Sequence, residues 1–261
     1  TPVNDGPQFR PTQGQFGGAL EFDGIDDFAT FQDATFDVGE QGTLNFWVNL
    51  DDLTSRNTFF EGTNGVGMEF AYRENGTGEF FGSPTRAASA NNLAIQQGGN
   101  GGSLAHQWVN VQYTWNFNGG VNPQLHIFLN GVEVPSYRSG FGPNLLPSRW
   151  TSILDTTTEL MFMGRDASST DRFFGGLIDD VAWFNLELSQ AQRDAIRISG
   201  VELAQSNLGG ALNAIGGGGN LVAFWNMDDA VGTTTVTGAA GTTITLHLQL
   251  DPPPPPPPMI T

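Results

Sequence analysis

Trp47, Tyr72, Arg73, Tyr137, Arg138 and Trp150 are the side chains of this sequence best suited to holding a sugar. Indole and phenol faces stack on a pyranose ring, and guanidinium forks donate to its hydroxyls. Trp47 is the foremost of them, because it alternates with the apolar residues of LNFWVNL. The other five fall in or near loops and would form a rim. Packing between strand and loop is the competing use for each. Catalytic groups are scarcer. His106 precedes an apolar run, while His126 and His247 lie inside such runs, where a sheet-face role suffices. No Gly-x-Ser-x-Gly elbow accompanies them. With no Cys, thiol catalysis, disulfides and zinc-thiolate sites are excluded. All ten basic residues are Arg, so Schiff-base chemistry and a phosphate-loop lysine are excluded too.

Charge and composition narrow the partners. Acidic residues number 27 against 10 basic ones, a formal net charge of −17. Nucleic acid is disfavoured as a partner, since phosphate binding needs basic patches. No apolar run approaches the ~18 residues that a membrane span needs, so direct membrane insertion is not expected. The chain starts at Thr1 without a Met, as expected if a leader was removed or a longer product supplies this segment. With 261 residues, a single all-β domain is ordinary. The 20 Phe, 6 Trp and 35 Gly argue for an aromatic core and many turns rather than a helical bundle.

The elements that must position these groups are short strands. Apolar runs at 18–23, 27–32, 43–50, 57–61, 66–73, 77–82, 107–117, 124–130, 132–134, 158–164 and 174–184 are separated by Gly, Asn, Asp and Pro. Leu44, Phe46, Val48 and Leu50 share one face of their run, and Val109, Val111, Tyr113 and Trp115 share one face of theirs. Such alternation predicts antiparallel sheets with one covered and one wetter face. Asn130–Gly131 predicts a type I′ hairpin. One short helix is expected from LSQAQRDAIRI, with Ser189 and Gln192 as a capping box and Ala195, Ile196 and Ile198 as packing residues.

Five segments follow: an N-terminal arm at 1–15, a sandwich at 16–198, a Gly-rich linker at 199–220, additional strands at 221–250 and a polyproline tail at 251–261.

The series GALEFDG, IDDFATF, TLNFWVNL, HQWVNVQYTW, LHIFLNGVEV, LMFMGRD and FFGGLIDDVAWFNLELSQAQ resembles the laminin-G-like, concanavalin A-like jelly-roll family over residues 16–198. The resemblance implies an all-β sandwich of two antiparallel sheets, six or seven strands each, with the first strand beside the GGLIDDVAWF strand. The segment LVAFWNMDDAVGTTTVTG looks like the family's lead-in, displaced to the far side of the domain. It can close its own sandwich, complete that of a neighbouring copy, or open a further module.

The resemblance also implies a structural calcium ion near the first turn and the penultimate strand. Its ligands here would be Asp23, Asp26, Asp179 and Asp180, with Asp27 also available. Turn-forming aspartates are the alternative use of the same residues. Asp228 and Asp229 form a second, weaker pair. The glycan hydrolases of this fold usually carry a Glu-x-Asp-x-x-Glu strand, and this chain has none, so no enzyme activity is expected. Two functions remain. The first is an extracellular or cell- or virion-surface module that assembles with copies of itself or with other surface-structure subunits. The second is a carbohydrate-binding module for an extracellular glycan.

Overall fold

The computed structural model describes residues 6–33, 36, 41–54, 56–62, 69–73, 79–83, 93–96, 104–116, 124–134, 136–138, 160–166, 172–207, 220–233, 235–236, 238 and 244–249. In chain order the elements are β1 (Gln8–Arg10), β2 (Ala19–Asp23), β3 (Ala29–Phe31), β4 (Gln41–Leu50), β5 (Asn57–Gly62) and β6 (Glu69–Arg73). Then come β7 (Glu79–Ser83), β8 (Leu93–Gln96), β9 (Trp108–Asn116), β10 (Gln124–Leu129), β11 (Val132–Glu133) and β12 (Ser136–Arg138). Last are β13 (Met161–Met163), β14 (Gly175–Phe184), α1 (Gln190–Asn207), β15 (Leu221–Trp225), β16 (Thr235–Val236) and β17 (Leu246–Leu248).

Two antiparallel sheets face each other. One has the order β1-β2-β14-β4-β9-β10-β11, with β15 also on β14; the other has the order β12-β8-β7-β6-β5-β13-β3-β17-β16. Eight and nine strands exceed the six or seven expected, because the segments outside the family pattern also pair. Gln8–Arg10, expected to lie in an arm, aligns with Ala19–Glu21. The strands after α1 pair within their own chain. Along one edge of β14, residues 175–178 pair with β2 and residues 181–184 pair with β15. In the other sheet β17 pairs with β3.

The alternating positions meet in one aromatic core. Leu44, Phe46, Val48, Leu50, Val109, Val111, Tyr113 and Trp115 are all in it, with Ile178, Val181 and Trp183 from β14 and Trp225 from β15. Phe31 packs edge-on to Phe36 and lies 4.8 Å from the Trp225 ring. Edge-to-face contacts of this kind add to the area term. Leu177, expected in the core, is only partly buried.

The opposite face of the first sheet is also covered. Asn45, Asn110 and Gln112 are fully buried. Asn110 and Gln112 both donate side-chain N–H to Asn45 Oδ1 at 3.0 Å, and Gln112 Nε2 donates to the Arg193 carbonyl on α1 at 3.1 Å. A second apolar cluster of Ala182, Phe184, Leu188, Ile196, Val201, Ala204, Leu221 and Phe224 glues α1 to this face. The expected capping box is present, with Ser189 N–H donating to Gln192 Oε1 at 2.9 Å. The helix runs on to Asn207 across a kink at Gly200, so residues 199–207 are not linker, and Ile198 points to solvent.

Candidate ion and glycan site

The strand register defines one end of the sandwich. Gly175 lies opposite Asp23, Gly176 opposite Leu50, and Asn49 opposite Trp108. At this end the β2–β3 turn carries three aspartates. Gly24 makes the turn possible: its φ is +76°, and a Cβ there would lie 3.2 Å from Gly175 Cα. The turn is closed by its own carboxylates. Asp23 Oδ1 accepts the Ile25 N–H at 2.8 Å, and Asp27 Oδ2 accepts the Asp23 N–H at 2.8 Å.

Asp23, Asp26 and Asp27 each offer a carboxylate oxygen, and these atoms lie within 4.8 Å of one another. Two ligands each about 2.4 Å from one Ca²⁺ are at most about 4.8 Å apart, so the spacing and the hard oxygen donors suit that ion. Asp23 is exposed and Asp27 is buried, so such an ion would sit at the surface, open to further ligands.

The neighbouring loops add cations and rings. Asp166 is fully buried; Arg172 donates to its Oδ2 at 2.7 Å, and Arg56 lies 3.9 Å from the same oxygen. Arg165 places its Cζ 4.8 Å from the Phe28 ring centre, 5.5 Å from Phe162 and 5.7 Å from Phe173. Asp51, whose N–H donates to the Gly175 carbonyl, has its carboxyl pushed upward by burial and then by the Glu21 charge. Sequence reasoning did not single out Phe28, Arg56, Arg165, Asp166 or Arg172. The signal was the GRD at 164–166 followed by RFF at 172–174, which the fold closes into a hairpin through the Arg165–Phe173 bridge.

Asp179 and Asp180 are not part of this cluster. They lie farther along β14, where the register slips between Asp179 and Ala182. Asp180 has φ +53°, and this bulge lets two consecutive side chains serve the same face. Asp179 Oδ2 accepts the Phe16 N–H at 2.9 Å, and Asp180 Oδ2 accepts the Val201 N–H at 3.1 Å. Beside them Asp228 Oδ1 accepts the Gly18 N–H at 2.6 Å. These carboxylates therefore clamp the chain before β2 and the second half of α1. Burial raises Asp179 to about 8 and Asp180 to about 7.

The aromatic platform expected at Trp47 is also absent. Trp47 is 7% exposed and covered edge-on by the Phe16 ring at 5.9 Å. The chain before β2, clamped by Asp179 directly opposite Trp47, lays Phe16 over it. Tyr72 is buried in the core, and its hydroxyl donates to the Leu53 carbonyl at 3.4 Å. Arg73 ends β6, and Tyr137 and Arg138 lie in β12; their side chains, Trp150, residues 208–219 and the proline tail lie outside the described residues.

A family model described as the concanavalin A-like lectin/glucanases superfamily matches residues 23–192. The chain belongs to that superfamily. Among solved structures it is similar to a protein from Bacteroides ovatus ATCC 8483 for which carbohydrate binding has been suggested. The TM-score is 0.54 at 16% identity, over 96% of this chain and 61% of the other. It is also similar to a heptameric SAP-like pentraxin of Limulus polyphemus, with TM-score 0.45 and 14% identity over 96% of this chain and 92% of that one. A third is domain 4 of an extracellular arabinanase of Geobacillus stearothermophilus in complex with arabinotriose, with TM-score 0.49 and 16% identity over 73% and 81%. Among curated proteins nothing matches.

Proposed function

We propose that this chain is a non-catalytic carbohydrate-binding module that works outside the cell and meets its glycan at the Asp23–Asp27 end of the sandwich. A Ca²⁺ ion held by Asp23, Asp26 and Asp27 would bridge protein and sugar hydroxyls. The observation that carries the reading is the convergence of three carboxylate oxygens within 4.8 Å on an open turn. Arg165 and Phe28 stand beside the turn, and such residues donate to hydroxyls and pack on sugar rings. The Bacteroides ovatus neighbour lends support from the fold side.

Assembly with copies of itself or with other surface-structure subunits was the first reading of the sequence, and carbohydrate binding its alternative. It drew on the displaced lead-in strands, the N-terminal arm and the proline tail; β15, β17 and β1 all pair within their own chain, and the tail lies outside the described residues. A catalytic reading draws no support from the Asp23–Asp27 turn, whose carboxylates sit together on one turn rather than facing each other across a cleft.

The test is a glycan array probed with the full chain in Ca²⁺ and in EDTA, alongside calorimetric titration of Ca²⁺. Selective glycan binding that EDTA abolishes and Asp27→Asn weakens at least tenfold is expected. Binding indifferent to EDTA, or no heat on Ca²⁺ addition, would refute the loop-end site.

A further inference from the structure

A groove of about 310 Å³ lies on the outer face of the first sheet, between the β10–β11 hairpin and the first turns of α1. Its floor is Thr114 and Phe128, and its walls are His126, Glu133, Glu187 and Arg193. Thr114 pairs with Thr43, which pairs with Phe184. That places the groove toward the end of the sandwich opposite the Asp23 turn. The hairpin turn fits against the helix closely: a Cβ on Gly131 would lie 2.7 Å from Arg197 Nε. Pockets that take small ligands begin near ~300 Å³, so this one has room for about one sugar ring.

The groove's polar groups already have partners within the protein. His126 Nδ1 lies 2.5 Å from Glu133 Oε1, and Asn116 Nδ2 donates to Glu187 Oε2 at 3.0 Å. Arg193 lies over the Phe128 ring, Cζ to centroid 4.0 Å, and donates to the Leu188 carbonyl at 2.5 Å. Its guanidinium stands in the field of Glu187, Asp194 and Glu133.

This pattern selects among ligand charges. A cation would meet Arg193, and an anion would meet Glu133 and Glu187. A neutral polyol satisfies both signs, because each hydroxyl donates to a carboxylate and accepts from a guanidinium or amide. Gln190, at the start of the helix, supplies such an amide at the rim. We propose that this groove is a second, metal-independent binding site for a neutral sugar residue. It extends the carbohydrate reading to a second place on the module and uses none of the loop-end residues. Two sites at opposite ends would let one chain grip two points of a polysaccharide, raising avidity without new contacts.

The experiment is saturation-transfer NMR on the full chain in EDTA. The neutral probes are methyl β-galactoside, methyl α-glucoside, N-acetylglucosamine and cellobiose; sialic acid and putrescine are the charged ones. Saturation of at least one neutral probe is expected, weakened at least tenfold by Glu133→Ala and by Glu187→Gln, with both variants melting like the parent. Three results would overturn the proposal: no neutral probe responds, a charged probe binds more tightly than every neutral one, or neutral binding survives both substitutions. Because EDTA strips the loop end, array binding that ignores chelation while these probes still saturate sinks only the loop-end site.

Discussion

Replacing Asp179 by Asn tests the electrostatics of the clamp. Asp179 is fully buried, and burial is the largest influence on its carboxyl; the Phe16 N–H opposes it, and the Asp180 charge adds to it. The result is a value near 8 against 3.8 for a free aspartate. Asp180 is raised to about 7 by the same burial, partly offset by the Val201 N–H and then increased by Glu202 and Asp228. A carboxyl raised on folding gives its full stability below pH ~4, and that stability drains away as pH climbs through the folded value. At pH 7 the unfolded Asp179 is ionised and the folded one is neutral, a cost of about 4 kcal/mol relative to acid. Asp180 contributes in the same direction, over a window that closes near pH 7. Asparagine keeps the acceptor for the Phe16 N–H and cannot ionise. Urea unfolding from pH 5 to 9 should therefore show the parent losing stability toward alkali. Asp179→Asn should lose less and should exceed the parent by about 4 kcal/mol at pH 7. A parent whose stability is flat or rises from pH 5 to 8, or an Asn variant weaker than the parent at pH 8, contradicts the reasoning.

Ca²⁺ at a hundredfold excess over its dissociation constant should stabilise the fold by about 2.7 kcal/mol, and calorimetry should see Tm rise by several degrees. Asp26→Asn should remove most of that rise. Gly176→Ala should cost about 3 kcal/mol or more in chemical denaturation. Its φ is +136°, and a Cβ would fall 2.1 Å from the Asn49 carbonyl oxygen, which is fixed backbone in the neighbouring strand. Trp225→Ala should cost about 3–5 kcal/mol, since the indole is wholly buried against Phe31 and donates Nε1–H to the Ile244 carbonyl at 2.8 Å. A small loss there would mean that residues 221–248 do not complete this core.

Most strand positions, the Asn130–Gly131 turn and the Ser189 cap were legible from residue pattern alone, because each rests on local chemistry; β1, β8 and β12 were not among the expected runs. Asn130 and Gly131 have φ of +52° and +82°, as a type I′ turn requires. The alternation in TLNFWVNL and HQWVNVQYTW identified the core face for the same reason: a strand's side chains repeat every second residue. Asp23, Asp26 and Asp27 were visible as candidates, because a turn keeps near neighbours together.

Only the tertiary structure decided what covers the other face. Alternation says that Trp47 and Asn45 oppose the core side; it does not say that α1 and Phe16 lie above them. Nor could it separate Asp179 from Asp23. Strand adjacency was anticipated, but the register places Gly175 opposite Asp23 and carries Asp179 toward the far end. Register, bulge and the layer above a sheet are set by contacts between segments far apart in the chain, and no local pattern encodes them. The three-aspartate turn was thus written in one short stretch of sequence, whereas the groove beneath α1 exists only because a hairpin, a sheet face and a helix come together in the fold.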